Sequence, residues 1–333
     1  MTGEDGSMPP FAHETWFTEQ RPPYSWEFTF EPATMAAIAA VVVAALAWRV
    51  VASRLPTPEL GVLSPLGRLG PWIPRLLGVH AGVSLLAQAA SGSYLAPSLE
   101  LPHGRVGTLL ALLEGITGVW LIAGYRIRPA AMLLAVAGPL GAIGYGIVPI
   151  LERVDLLGIA VFLSIVPPDD AAPGGRTTSS PEGLATALFS LRLLVGGSLI
   201  VLAFTEKLAR PDLALAFLDH YPALNVLQSI GLDVPNLTFV RIAGAVELLF
   251  GLLIISGAMP QVAVIAAGIP FNATLLYFGE SELIGHLPVY GAMLALLVYG
   301  SHKETAHLVP WLPIRRWDRV ADASARPAPD AAG

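Results

Sequence analysis

The sequence predicts an all-α integral membrane protein with about nine transmembrane helices: one N-terminal anchor helix followed by two parallel four-helix repeats. Three observations predict it. Of 333 residues, 54% are apolar and only 13% charged, with a mean hydropathy of +0.64, far from the balance of soluble domains. Apolar runs near the spanning length recur along the whole chain. The second half then echoes the first at a constant offset, the sign of an internal repeat.

The first span is expected at about residues 35 to 55, inside a segment 33–56, behind a polar segment 1–32 that carries Glu4, Asp5, Glu14, Glu19, Glu27 and Glu31. Arg49, Arg54 and Arg68 follow this apolar run, whereas a secretory signal would carry its basic residues in front. Further runs fall near 72–90, 105–124, 130–147, 150–167, 184–206, 238–258, 261–279 and 286–301. With the N-terminus outside, thirteen of the 19 Lys and Arg residues lie on the inner side. The positive-inside bias therefore predicts an extracytoplasmic N-terminus and a cytoplasmic C-terminus. Glu152, Arg153 and Asp155 sit at the outer end of the fifth run, so the fourth and fifth runs also fit a partly re-entrant pair.

Adding 133 maps Glu114 onto Glu247, Gly118 onto Gly251, Ile122 onto Ile255, Gly124 onto Gly257, Gly146 onto Gly279 and Gly158 onto Gly291. Upstream, the run from Arg75 matches the run from Arg192 at an offset of 117, which leaves 16 extra residues in the second half, in an outer loop. An even number of spans per unit makes the repeats parallel. The units are 70–168 and 184–301, joined by a polar cytoplasmic linker at 169–183 and followed by a cytoplasmic tail at 302–333. The insertion around residues 208–239 reads as one or two short helices on the outer surface, where they would cap the bundle mouth.

The net charge of −6 excludes a nucleic-acid partner, and the absence of cysteine removes disulfides, thiolate ligands and iron–sulfur clusters. GAIGYG at 141–146 lacks the spacing of a dinucleotide fingerprint. No nucleophile–base pair rises above chance, which argues against an enzyme acting alone.

Glu114 and Glu247 stand near the middle of their spans, where an unpaired charge costs at least about 2.5 kcal/mol. Depth arithmetic makes Arg192–Glu247 a feasible pair, with Arg75–Glu114 its first-half equivalent; a pair kept in both copies reads first as a packing staple. Functional residues should survive in one copy only. At the offset of 133, Asn272 faces Pro139, Tyr277 faces Gly144, His286 faces Arg153 and Tyr290 faces Leu157, and Lys207 has no counterpart. Lys207, Asn272, Tyr277, His286 and Tyr290 therefore form the candidate ligand site, against the plainer reading of an aromatic belt and a snorkelling lysine. Glu282 and His286 are four apart and make only a weak metal candidate. His80, in GVHAG, reads as part of a small-residue packing seam.

Arg192, Gly196, Gly197, Lys207 and Leu208, followed by AVELLFGLLIISG around Glu247, resemble the pattern of the DoxX family of four-helix bacterial membrane proteins over residues 185–301. Residues 72–167 look like a diverged copy. The resemblance implies a non-catalytic subunit or scaffold of a quinone-linked redox or oxidative-stress system, with a quinone or a redox protein as partner beside the lipid bilayer and no covalently attached cofactor. The repeats and mid-membrane carboxylates themselves point to the alternative, a small-solute or proton-coupled transporter.

Overall fold

The computed structural model describes residues 22–170 and 179–312, apart from the side chains of residues 276, 277, 280 and 281. Most of the expected N-terminal segment, linker and tail lies outside the described residues. A short helix α1 (Trp26–Phe30) leads into α2 (Pro32–Ala52), where the first span is expected. Pro32 opens α2 at a position where its missing N–H is no loss, and the Ala/Val run after it has no polar face. Val43, Leu46 and Val50 consequently stay exposed, an exterior suited to lipid.

A 3-10 stretch, Gly61–Trp72, precedes α3 (Ile73–Ser91). The loop that follows forms an antiparallel hairpin, β1 (Ser93–Tyr94) and β2 (Ala96–Glu100), turning at Leu95 with φ +59°. Then come α4 (Arg105–Ala123), α5 (Ile127–Tyr145), the five-residue α6 (Ile147–Leu151) and α7 (Val154–Ile165). Helix α8 (Pro181–Leu202) continues as a π-helical segment, Ala203–Leu208. The insertion supplies α9 (Pro211–His220) and α10 (Val226–Ser229), and the chain closes with α11 (Asn236–Ser256), α12 (Pro260–Phe278) and α13 (Glu280–Ser301).

Among the described residues, six helices are long and apolar enough to cross a membrane: α2, α4, α5, α8 with its extension, α11, and residues 282–301 of α13. The chain is thus a multi-pass, helical membrane protein. The expected fifth span, 150–167, is corrected to two pieces, because the helix is interrupted at Glu152 and Arg153 and α7 has only 12 residues. At 1.5 Å per residue that is about 18 Å, short of a hydrocarbon core of about 30 Å. The apolar part of α12 is also short, Pro260–Leu275, and α3 falls outside the six.

Neighbours follow a closed order. Helix α4 packs on α3 and α5, α5 on α7, α7 on α8, α8 on α11, α11 on α2 and α12, α12 on α13, and α13 returns to α3. Small residues allow the closest approaches. An added Cβ on Gly82 would come within 2.6 Å of the Gly118 carbonyl, and one on Gly196 within 2.5 Å of the Gly251 carbonyl. The α3–α4 and α8–α11 contacts therefore match at a spacing of 114 in the first helix, one turn away from the 117 of the arginine alignment. Likewise Gly158 of α7 faces Leu194 on α8, and Gly291 of α13 faces His80 on α3. His80 is thus part of a packing seam, with its ring Nδ1 2.7 Å from the Leu76 carbonyl.

Several backbone features recur 133 residues apart. Gly124 and Gly257 end α4 and α11 in the left-handed region, Arg126 and Met259 precede α5 and α12 with φ +44° and +48°, and Gly146 and Gly279 end those two helices with φ +85° and +76°.

The glycine contacts make a paired prediction. Gly196→Ala should destabilise the bundle by about 1–3 kcal/mol because the new methyl meets backbone. Gly197→Ala, whose methyl would stand 4.0 Å from Val154, should be neutral or stabilising by up to about 1 kcal/mol through helix propensity. Thermal unfolding in detergent, followed by tryptophan fluorescence, checks the opposite signs.

Candidate functional site

The expected arginine–glutamate pairs are not the ones that form. With Gly196 seated on Gly251, Arg192 is level with the carboxyl end of α11, and its fully buried guanidinium donates to the carbonyls of Ile255 and Trp311. Those carbonyls belong to, or lie beside, a helix end whose last carbonyls have no intrahelical donors and attract cations. Arg49 donates to Ser256 O at 2.9 Å and Trp48 Nε1 to Ala258 O at 2.8 Å, so the same end is bracketed by α2 as well. Arg75 lies against Gly124, where a Cβ would overlap its guanidinium. Arg192 is therefore a structural cap, and Arg75 packs at the corresponding end of α4.

Glu114 is buried in α4 and accepts the N–H of Leu95 at 2.8 Å, fastening the hairpin turn to the helix. Beside it Tyr94 donates to Ala137 O at 2.7 Å and stacks on Tyr145, whose hydroxyl donates to Glu100 O at 2.8 Å. This carboxylate holds an irregular segment in place.

Glu247 meets a different partner. Lys207 Nζ stands 3.2 Å from Glu247 and 3.7 Å from Glu206, and the Glu206 side chain is 1% exposed. Both Lys207 and Glu206 belong to the π-helical end of α8, where the extra residue per turn turns two adjacent charged side chains inward. Gly244 of α11 provides the room, since a Cβ there would come within 3.0 Å of Lys207 Cβ. One ammonium between two carboxylates gives the group a net charge of −1 when all three are ionised.

A second group lies where α7 and α13 meet. The buried Arg153 donates to Gly285 O at 3.2 Å and stands 4.0 Å from the buried Asp155. One residue further on, His286 Nδ1 is 3.3 Å from the Glu282 carboxylate and 3.1 Å from its carbonyl, and Phe271 meets the imidazole edge-on at 5.1 Å. Tyr290 packs against Phe271, ring centroids 6.2 Å apart, with its hydroxyl buried and lacking a hydrogen-bond partner among the described residues.

The expected five-residue ligand site is thereby divided. Lys207 belongs with Glu206 and Glu247, and His286 and Tyr290 share Phe271. Asn272 is corrected out of the group: it is exposed on α12 and its amide donates to Gly268 O at 2.7 Å, satisfying itself on its own helix. The Tyr277 side chain lies outside the described residues. Glu282 and His286 meet side chain to side chain at 3.3 Å, and no cluster of three metal-type ligands occurs among the described residues. Sequence reasoning missed Glu206, whose place beside Lys207 would put it on another face of a regular helix. It also missed the inward Arg153 and Asp155, which read as the polar edge of a span. Comparisons with protein-family models, curated proteins and solved structures give no match for this chain.

The triad makes a prediction about coupling. Lys207→Met removes the ammonium from the buried Glu206 and the partly exposed Glu247 and should cost about 1–3 kcal/mol. The double variant Lys207→Met/Glu247→Gln should be less destabilised than the single one. A double-mutant cycle read by thermal unfolding at neutral pH checks it.

Proposed function

We propose that this is a bacterial membrane protein built of an N-terminal anchor helix and two helical units, with the N-terminus outside, and that its second unit couples proton movement to the passage of a small solute. The observation that carries the reading is the Glu206–Lys207–Glu247 triad within the spanning segment 181–208 and its neighbour α11. Ionisable groups at that depth are costly, and a carboxylate-rich group that changes protonation is the chemistry of proton relays. The matching contacts of α3–α4 and α8–α11, and the backbone features repeated at 133, support the two-unit architecture.

The DoxX-like pattern carries a second reading, a subunit or scaffold of a quinone-linked or stress-response redox system. Lys207 belongs to that pattern, but its charge is already matched by two carboxylates. An anion or a quinone carbonyl would compete with them for the ammonium, so the geometry favours protons.

Proteoliposomes containing pyranine and placed under an imposed pH gradient test the first reading. The protein should accelerate proton equilibration, and Glu247→Gln should reduce the acceleration at least tenfold. Flux that is absent, or equal in the variant, overturns it. Quinone co-purifying stoichiometrically in mild detergent, with no proton flux, would establish the second reading instead.

A further inference from the structure

A cavity of about 410 Å³ opens at the end of the bundle where α2 begins, between the hairpin, the break from α5 to α6, and the start of the insertion. Tyr24, Ser98, Tyr145, Gly146, Glu152 and Arg210 are among its lining residues. Its size lies toward the lower end of the range for small-molecule sites. Broken helix at membrane depth is tolerated where it lines a cavity, because the freed peptide groups need polar surroundings. Here the break is supplied by Gly146, with φ +85°, and by Pro149, also in the lining.

Arg210 gives the cavity its chemistry. Its guanidinium lies over the Tyr24 ring, 4.1 Å from the centroid, and its Nε is buried with no hydrogen-bond acceptor among the described residues. Arg75, Arg153 and Arg192 also each have a buried N–H without an acceptor among the described residues, but none of the three lines this cavity. Arg192 donates to two carbonyls, Arg153 to Gly285 O, and Arg241 to Glu31 and Thr34 at 2.7 and 2.9 Å. A buried guanidinium N–H without an acceptor is strongly unfavourable, and an oxyanion satisfies it. A simple anion would also meet Glu152, and a simple cation would meet Arg210. A molecule that carries both charges suits both residues.

We propose that this cavity binds a small zwitterion, its oxyanion on Arg210 and its ammonium toward Glu152. The chemistry is shared by a free amino acid and by the phosphoethanolamine headgroup of a lipid. The site involves none of the triad residues, and binding is read without flux, so it stands or falls separately from proton coupling.

The test uses the full chain in nanodiscs of phosphatidylglycerol, titrated with alanine, phosphoethanolamine and the simple anion acetate, with thermal stabilisation and calorimetry as readouts. A parallel arm measures retention of phosphatidylethanolamine by native mass spectrometry. A free zwitterion should bind at least tenfold more tightly than acetate, and Arg210→Gln should weaken it at least tenfold. Glu152→Gln should abolish the preference for the zwitterion over acetate, which separates recognition from loss of fold. Retention of phosphatidylethanolamine that is lost in Arg210→Gln, without soluble binding, assigns the site to a lipid headgroup. No binding in either arm, no preference over acetate, or Arg210→Gln behaving as the native chain overturns the proposal.

Discussion

Gly82 against Gly118, and Gly196 against Gly251, bring two pairs of helices to backbone contact, and the depth of the principal charged side chains follows from that register. In lipid there is little hydrophobic force between helices, so close van der Waals packing of small residues must hold them. Once Gly196 is seated on Gly251, Arg192 stands one turn beyond it at the end of α11, where carbonyls need donors. Glu247 stands one turn to the other side of Gly251, out of reach of that arginine and within reach of Lys207. The same contact thus separates a structural cation from a carboxylate that takes part in a charged triad.

The two glutamates, 133 residues apart, do different work. Glu114 closes on the peptide N–H of Leu95, a backbone group whose left-handed turn leaves it in need of an acceptor inside the bundle. Its counterpart Glu247 has no hairpin to hold, since α8 continues through its π-helical end and the insertion takes over the connection. A lysine on that extension fills the space instead. The first carboxylate is accounted for by architecture alone, while the second sits in a group that architecture does not require.

Helix positions were legible because apolar runs of near-spanning length have no other stable form, although the run at 150–167 is divided between α6 and α7. The offset of 133 was legible because it needs no gap. Side-chain partners were harder to read. Depth arithmetic compared Arg192 with Glu247 as though the helices stood upright and in register by length, whereas the glycine contact displaces one against the other. The π-helical segment left no mark in composition, yet it decides that Glu206 and Lys207 share a direction. Asn272 looked functional from its asymmetry, but an amide can also satisfy itself on the preceding helical turn, as it does here. The small hairpin was missed because SYLAPSLE between two apolar runs reads only as a loop.

The two ends of the bundle are built differently. At one, α4 and α11 finish in left-handed glycine caps, with Arg75, Arg49 and Arg192 packed around those helix ends, a regular arrangement that favours a fixed structure. At the other lie the Leu95 turn, the break at Gly146, the π-helical end of α8 and the inserted helices α9 and α10. Irregular backbone within a membrane protein has to be enclosed by protein or open onto a polar space, because lipid cannot satisfy it. Three separate departures from regular helix at one end therefore demand a polar interior there, and Glu114, Glu206, Lys207, Glu152 and Arg210 provide it. Such an interior can exchange protons or hold a charged solute, whereas at the capped end Arg49 and Arg192 are already engaged by carbonyls.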